Sequence, residues 1–167
     1  MDESKYYTYD YWHGDTNPIE RYQKIMGDWY KNSVIPKLSM MNFEDGYKCY
    51  FGSHNCKNYL LWKNQFTDMI GFDLHNPTNN PWVIQFDFLE INAIKIPVSL
   101  AVPVIGSYRN TPHLIKKYIQ WLDNNLVPGG VVVCGTKHRD QLTDVQTIET
   151  IYNPFKKRDF YIIRKKK

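Results

Sequence analysis

The sequence predicts an α/β fold with a mostly parallel β-sheet, and three observations lead to this prediction. Residues 111–136 contain an amphipathic helix, a Pro-Gly-Gly turn and the apolar run Val131–Cys134, which is typical of a strand buried on both faces. Similar apolar runs alternate with helix-length segments along the chain, and this alternation implies crossovers between parallel strands. The last two runs, 147–152 and 159–163, flank the short segment 153–158 and predict a closing antiparallel hairpin.

The elements follow in chain order from caps, turns and periodicity. Asn17 and Pro18 predict the cap and first turn of a helix that ends near Ser33–Pro36, so residues 1–45 are expected to form a helical cap on a core of residues 46–167 within one domain. Helices are also expected at 59–66 and after Thr111, with Leu126-Val-Pro-Gly-Gly130 as the turn that stops the second. The predicted parallel strands are Tyr47–Phe51, Met69–Asp73, Trp82–Asp87, Val98–Val104 and Val131–Cys134, and the hairpin adds two edge strands to give seven.

The composition indicates a globular protein and argues against membrane and secreted proteins. The chain has 167 residues, 43% hydrophobic and 23% charged, which suits one globular core. No apolar run approaches the roughly 20 residues of a membrane helix, and the N-terminus lacks the pattern of a secretory signal. Three cysteines without a pairing pattern fit a reducing compartment. A cytoplasmic protein without a membrane partner is therefore expected. The histidines lack partners at ligand spacing, and no metal site is predicted.

Positive charge is concentrated at the C-terminus. Residues 156–167 hold seven Lys or Arg and one Asp, a net charge of +6, which leaves −2 on residues 1–155 of the +4 total. Two interpretations are open: a solvated end, or a surface that attracts phosphate backbones. The run Arg164–Lys167 is expected to be poorly ordered and dispensable for folding, with weak nucleic-acid contact as its possible role.

Parallel sheets bind ligands outside the carboxyl ends of their strands. Asp73 ends the second predicted strand, where a carboxylate can accept both hydrogens of a ribose diol; the alternative is a loop carboxylate or helix cap. Asp87 can accept an adenine amino hydrogen while the Phe88 backbone N–H donates to a ring nitrogen; the alternative is a turn residue. Ser107 and Tyr108 precede a helix, and they are either anion-binding substrate contacts or plain loop residues.

The order of these parts resembles the class I S-adenosylmethionine-dependent methyltransferases over residues 17–165. Phe51-Gly-Ser-His-Asn55 corresponds to their glycine-rich first loop, Ile70-Gly-Phe-Asp73 to their second strand and Gln85-Phe-Asp-Phe88 to the end of their third. Leu126-Val-Pro-Gly-Gly130 is similar to their motif before the fifth strand, and the terminal hairpin to their antiparallel ending. The resemblance implies a Rossmann-like three-layer sandwich and S-adenosylmethionine as cofactor. It assigns the cofactor contacts to Gly52, Ser53, Asp73, Leu74, Asp87 and Phe88.

The sequence departs from that family in three places. Only Gly52 represents the glycines of the first loop, residues 47–58 contain no acid, and the fourth strand is not followed by the Asp/Asn-Pro-Pro-aromatic tetrad of base-amine methyltransferases. Two functions therefore stay open. The first is methyl transfer to an unidentified acceptor, and the second is a degenerate member that serves as a non-catalytic binding or structural subunit.

Overall fold

The structure, a computed structural model, describes residues 24–51, 57–73, 76, 79–85, 87–103 and 112–167. Seven strands form one sheet in the order β3-β2-β1-β4-β5-β7-β6. Strands β1 to β5 are parallel to one another, and β7 runs antiparallel to both β5 and β6. The strands are β1 Tyr47–Phe51, β2 Ile70–Asp73, β3 Val83–Gln85, β4 Val98–Pro103, β5 Leu126–Cys134, β6 Val145–Asn153 and β7 Arg158–Lys165.

Helices cover both faces of the sheet, which confirms the predicted three layers. Helix α1 covers residues 24–38, α2 spans Lys57–Gln65, α3 spans Pro112–Asn125 and α4 spans Thr136–Arg139. A 3-10 helix covers Phe88–Ala93. Because side chains alternate along a strand, the central strands β1, β4, β5 and β7 contribute to two cores. One core joins α1 and α2 to the sheet through Trp29, Tyr50, Tyr59, Trp62, Leu100 and Val131. The other joins α3 to the opposite face through Cys49, Phe51, Ala101, Tyr118, Trp121 and Val132.

Helix α1 continues past the predicted end near Ser33–Pro36. Its turn Tyr30–Val34 is a π-helix, in which the Ile35 N–H donates to the Tyr30 carbonyl, and α-helical geometry resumes at Ile35–Leu38. Pro36 then falls in the first turn of this new segment, where a missing N–H breaks no helical hydrogen bond. The predicted start of this helix, at Asn17 and Pro18, lies outside the described residues.

Strand β5 begins five residues earlier than predicted. Leu126 pairs with Val98 directly after α3, so Leu126-Val-Pro-Gly-Gly130 belongs to the strand and is not a separate turn. The register between β4 and β5 shifts between Val98 and Leu100, which absorbs the extra residues as an irregularity in the ladder. Gly129 has φ +82°, a backbone conformation that suits a residue without a Cβ.

The C-terminal hairpin forms as predicted, but only one of its strands is an edge strand. β7 inserts between β5 and β6, and β6 forms the edge. Ile162 and Ile163 of β7 are fully buried on opposite faces, whereas most of β6 is exposed or half-buried. The more apolar strand occupies the position with two neighbours, because burial on both faces favours it there.

The basic C-terminus is docked, and the expectation of a poorly ordered tail is wrong. Arg164 and Lys165 lie within β7. Arg164 donates to the carbonyls of Gly129 at 2.9 Å and Asn42 at 3.1 Å, and the Lys165 ammonium donates to the Asp123 carbonyl at 2.8 Å. These partners lie at or near the start of β5, so the run Arg164–Lys167 covers the amino edge of the parallel strands.

Candidate functional site at the carboxyl edge of the sheet

The carboxyl ends of the parallel strands form one edge of the sheet. Phe51 at the end of β1 is the register partner of Phe72 in β2 and of Pro103 in β4. The chain runs outward from β1 in one direction through β2 and β3, and from β4 in the other direction through β5. The crevice between β1 and β4 is therefore the topological switch point, where ligands of open α/β sheets bind.

Aromatic rings pack against one another below the strand end that carries Asp73. It is the last residue of β2, it is half-buried, and its register partner in β3 is Gln85. Beneath it, the rings of Phe51 and Phe72 stack with centroids 5.0 Å apart, and Tyr118 packs edge-on against Phe51 at 4.9 Å. Packing that fixes the strand ends also fixes the backbone that carries the carboxylate. The structure thus places Asp73 where the sequence predicted a strand-terminal acid.

Asp87 lies on the same half of the edge, because β3 is the neighbour of β2. Its carbonyl accepts the N–H of Glu90 at 2.8 Å, so Asp87 directly precedes the 3-10 helix that begins at Phe88. This is the backbone position that the turn interpretation predicted. The side chain is half-buried and remains beside the end of β3.

Asn76 organises the connection between β2 and β3, a role that the sequence analysis did not assign. Its side-chain amide donates to the carbonyls of Asn80 at 3.0 Å and Val83 at 3.3 Å, and its side-chain oxygen accepts the Asn80 N–H at 2.9 Å. Asn80 in turn accepts the Trp82 N–H at 3.0 Å. The signal was available in the Asn-rich loop, since Asn side chains often replace backbone partners in turns.

Five predicted site residues lie outside the described residues. These are Gly52 and Ser53 of the first loop, Leu74 after β2, and Ser107 and Tyr108 between β4 and α3. The structure therefore brings Asp73, Asp87 and the backbone of Phe88 to one half of the edge, while the predicted roles of the other five stay predictions.

The other half of the edge contains α4 and the turn between β6 and β7. His138 of α4 is half-buried, and its buried Nδ1 has no hydrogen-bond partner among the described residues. Burial, and then the positive charges of Arg158 and Lys137, lower the pKa of His138 to about 4. The imidazole is therefore neutral at pH 7. The sequence indicated only that His138 lies at the end of an element.

The thiols near this edge are not suited to nucleophilic chemistry. Cys49 and Cys134 are buried and unpaired, and burial raises the pKa of each thiol to about 12. A thiolate is the reactive form, and it is scarce at such a pKa. Within the described ranges, no group of three or more His, Cys, Asp or Glu side chains is arranged to hold a metal ion.

A polar groove lies at the opposite edge. It has a volume of about 660 Å³ and is lined mainly by polar side chains, among them Asn92, Gln120 and Asn124. Asn125 accepts the Ile96 N–H at 3.2 Å beside it, directly before β5 starts. This groove is therefore separated from Asp73 by the length of the strands.

Comparison with solved structures identifies the architecture. The N-methyltransferase NodS from Bradyrhizobium japonicum WM9 is similar with a TM-score of 0.60 and 13% identity over 92% of this chain and 99% of that chain. A second structure of NodS, in complex with S-adenosyl-L-homocysteine, is similar with a TM-score of 0.55 and 14% identity over 99% and 96% of the two chains. The chain has the class I methyltransferase fold.

The same fold is shared by more distant structures. TrmN from Thermus thermophilus is similar with a TM-score of 0.55 and 12% identity over 79% of this chain and 47% of that chain. Human N-acetylserotonin methyltransferase, in complex with S-adenosylmethionine, is similar with a TM-score of 0.54 and 10% identity over 88% and 55%. No family model matches the sequence, and no curated protein matches it. The methyltransferase fold is thus visible in the tertiary structure, and the resemblance stated from the sequence is confirmed at that level. None of the described helices is long and apolar enough to cross a membrane.

Proposed function

We propose that this chain is an S-adenosylmethionine-dependent methyltransferase that transfers the methyl group to an unidentified acceptor. The observation that carries the proposal is the fold likeness to the N-methyltransferase NodS, which extends over nearly the whole of both chains. The coverage matters because a shared sheet alone would be common to many unrelated functions. Two unpaired buried cysteines are consistent with action in a reducing, cytoplasmic setting.

The residues at the carboxyl edge fit the adenosyl part of this cofactor. Asp73 offers a carboxylate at the end of β2, beside the switch point, as a ribose diol requires. Asp87 and the Phe88 backbone N–H follow the next strand and suit the edge of an adenine. Gly52, Ser53 and Leu74 flank these positions in sequence, and we assign them to the same cofactor.

The protein's part in the reaction is orientation. S-adenosylmethionine, when bound, supplies a methyl group that its sulfonium already activates. The chain's own residues then have to hold the acceptor in line and exclude water. We assign Ser107 and Tyr108 to the acceptor because β4 ends beside the switch point and these residues follow it in the sequence. No catalytic acid or base is required for this assignment.

A pair of substitutions at the two ends of β2 tests the proposal. Asp73→Asn should weaken S-adenosylhomocysteine binding about 10- to 100-fold, which is the effect of losing hydrogen bonds to a charged acceptor. Asp68→Asn is the matched control: Asp68 precedes β2 at the opposite edge, and its largely exposed side chain pairs with Lys48 at 2.6 Å. Asp87→Ala should have a smaller effect than Asp73→Asn, because the Phe88 backbone contact remains.

Isothermal titration calorimetry on the three variants and the unchanged chain measures these effects. Equal affinities for Asp73→Asn and Asp68→Asn would remove Asp73 from the site. No heat of binding with either S-adenosylmethionine or S-adenosylhomocysteine, at protein concentrations far above a micromolar dissociation constant, would refute the enzyme and favour a non-catalytic subunit.

A further inference from the structure

The turn between β6 and β7 projects above the acceptor half of the carboxyl edge. Tyr161 is the register partner of Cys134, the last residue of β5, and Arg158 pairs with Asn153 three residues further along β7. At about 3.3 Å per residue, the hairpin rises roughly 10 Å beyond the end of β5. Helix α4 begins two residues after Cys134 and packs against β7, where the Arg139 guanidinium lies over the Tyr161 ring at 4.0 Å.

Both elements carry exposed positive charges that form no ion pair among the described residues. Lys137 of α4 and Lys157 and Arg158 of the hairpin are exposed, and no carboxylate of the described residues lies within 4.0 Å of their nitrogens. Both Lys137 and Arg158 act electrostatically on His138. Asp159, the register partner of Tyr152, is an exposed acid beside them, so α4 and the turn keep an excess of positive charge, which attracts an anionic ligand.

Aromatic side chains accompany these charges. Tyr152 at the end of β6 is 56% exposed and Phe155 in the turn is 46% exposed. Large aromatic rings at a solvent-facing turn provide flat faces on which nucleobases stack, whatever the base. We name the set Lys137, Tyr152, Phe155, Lys157 and Arg158 the hairpin patch.

The hairpin patch is fixed before any ligand arrives. The Asn153 side-chain oxygen accepts the N–H groups of Phe155 at 3.0 Å and Lys156 at 2.9 Å, which closes the turn. Asn153 itself is fully buried, and the Trp29 indole N–H donates to the Tyr152 carbonyl at 3.0 Å. A preformed turn loses little conformational entropy on binding.

We infer that the methyl acceptor is a single-stranded nucleic acid, held by phosphates on Lys137, Lys157 and Arg158 and by bases on Tyr152 and Phe155. That the ligand is a methyl acceptor rests on the proposed function. That it is a single-stranded nucleic acid rests on the hairpin patch. Cations spread over two elements and interleaved with aromatic faces suit alternating phosphates and bases better than one small anion. The absent Asp/Asn-Pro-Pro-aromatic tetrad argues only against methylation of a base amine.

The test uses fluorescence anisotropy with fluorescein-labelled single-stranded RNA and DNA of mixed sequence, about 16 nucleotides long. The double variant Lys157→Ala/Arg158→Ala should weaken binding and reduce the slope of log affinity against log salt by about 1.4, or 0.7 for each lost phosphate contact. The control Lys95→Ala/Lys166→Ala removes the same charge from two exposed lysines at the other edge and should leave the slope unchanged. Phe155→Ala should reduce affinity about 5- to 100-fold and leave the slope unchanged.

S-adenosylhomocysteine binding by the same variants separates this inference from the proposed function. If cofactor binding is intact while the RNA and DNA do not bind, or bind both double variants equally, the hairpin patch is not a nucleic-acid site and the inference is overturned. If the nucleic acid binds through the patch and transfer of a tritiated methyl group to it is detected, the inference is supported. If the nucleic acid binds but the chain binds no cofactor, the proposed function fails and the acceptor assignment fails with it.

Discussion

Asp73 and Gln85 end neighbouring strands as register partners, so a carboxylate and an amide stand side by side at the carboxyl edge. The acid could be predicted from the sequence, because an apolar run that stops at an Asp is a local signal. Gln85 could not, because its place beside Asp73 depends on the pairing of β2 with β3. The type of side chain at a strand end can therefore be predicted from the local sequence, whereas its neighbours on adjacent strands cannot.

His138 makes stability depend on pH. Its pKa in the folded protein is about 4, below the ordinary value of 6.5, because burial and two nearby cations disfavour the imidazolium. Between these values the unfolded chain binds more protons than the folded chain. The free energy of unfolding should therefore fall as the pH decreases from 6.5 to 4, and the full contribution of the neutral imidazole should be present above pH 6.5.

The variant His138→Gln isolates this contribution from those of the carboxyl groups. Between pH 7 and pH 4.5 the unchanged chain should lose about 2 kcal/mol more stability than the variant, in proportion to the difference of its two pKa values. Urea denaturation at both pH values measures the four free energies. Parallel pH profiles for the two proteins would show that His138 ionises normally.

Strand β5 shows why a motif that looks like a turn can be part of a strand. Gly129 takes a positive φ and Gly130 lies against Leu126, so the two glycines let the strand pass an irregular stretch without leaving the sheet. A Pro-Gly-Gly sequence satisfies either arrangement locally. Only the pairing of Leu126 with Val98 decides between them.

Two Gly→Ala substitutions at the ends of the apolar run test this account. A Cβ at Gly130 would lie 2.8 Å from the Val127 carbonyl oxygen and 2.7 Å from the Leu126 Cδ1, whereas a Cβ at Gly135 would have no atom within 4 Å. Gly130→Ala should therefore cost about 1–3 kcal/mol in the free energy of unfolding. Gly135→Ala should change it by less than about 0.5 kcal/mol, since its φ of −85° suits alanine. Chemical denaturation of both variants checks the difference, and equal losses would contradict the packing described here.

The docked C-terminus leads to a second prediction for an element. Deleting Arg164–Lys167 removes the end of β7 and the hydrogen bonds of Arg164 to Asn42 and Gly129. Losing these hydrogen bonds and the end of the strand should lower the free energy of unfolding by about 2–3 kcal/mol. The melting temperature should therefore fall by roughly 5–10 °C. The sequence alone had suggested no change.

A milder variant provides the control for this deletion. Lys166→Ala/Lys167→Ala keeps Arg164 and Lys165 and removes the ion pair of Lys167 with Glu44 at 2.5 Å, in which the Lys167 side chain is largely exposed. Such a pair contributes little to stability. Its melting temperature should lie close to that of the unchanged chain. Differential scanning calorimetry in which deletion and double substitution melt together would show that the end of β7 is not required.

The distribution of charge belongs to the scale of the whole molecule. The basic residues of 156–167 form one run in the sequence, yet β7 carries them to opposite edges of the sheet. Lys157 and Arg158 reach the carboxyl edge, whereas Arg164 and Lys165 bind carbonyl oxygens at the amino edge. We therefore propose that the nucleic-acid contact expected of the tail lies at the hairpin patch instead.

The two buried thiols report on unfolding of the whole molecule. Cys49 and Cys134 lie in the core between the sheet and α3, and both are essentially inaccessible to solvent. In a Cys56→Ser variant, Ellman's reagent should not react with the native protein at pH 8 on the timescale of minutes. In denaturant the reagent should titrate two thiols per chain. Unfolding exposes both thiols to solvent and restores their ordinary ionisation to the thiolate. Rapid reaction of the native variant would show local opening of this core.

The sequence by itself determined the alternation of helices and strands, the hairpin at the end of the chain, and the acid at the end of β2. These features depend on periodicity, turn chemistry and apolar runs within a few residues of one another, so local physics encodes them. Tertiary structure decided that β7 lies inside the sheet, that the Pro-Gly-Gly segment is part of β5, and that α4 packs against β7 through Arg139 and Tyr161. These outcomes depend on which strand buries both of its faces and on register between distant segments, and no local pattern contains that information.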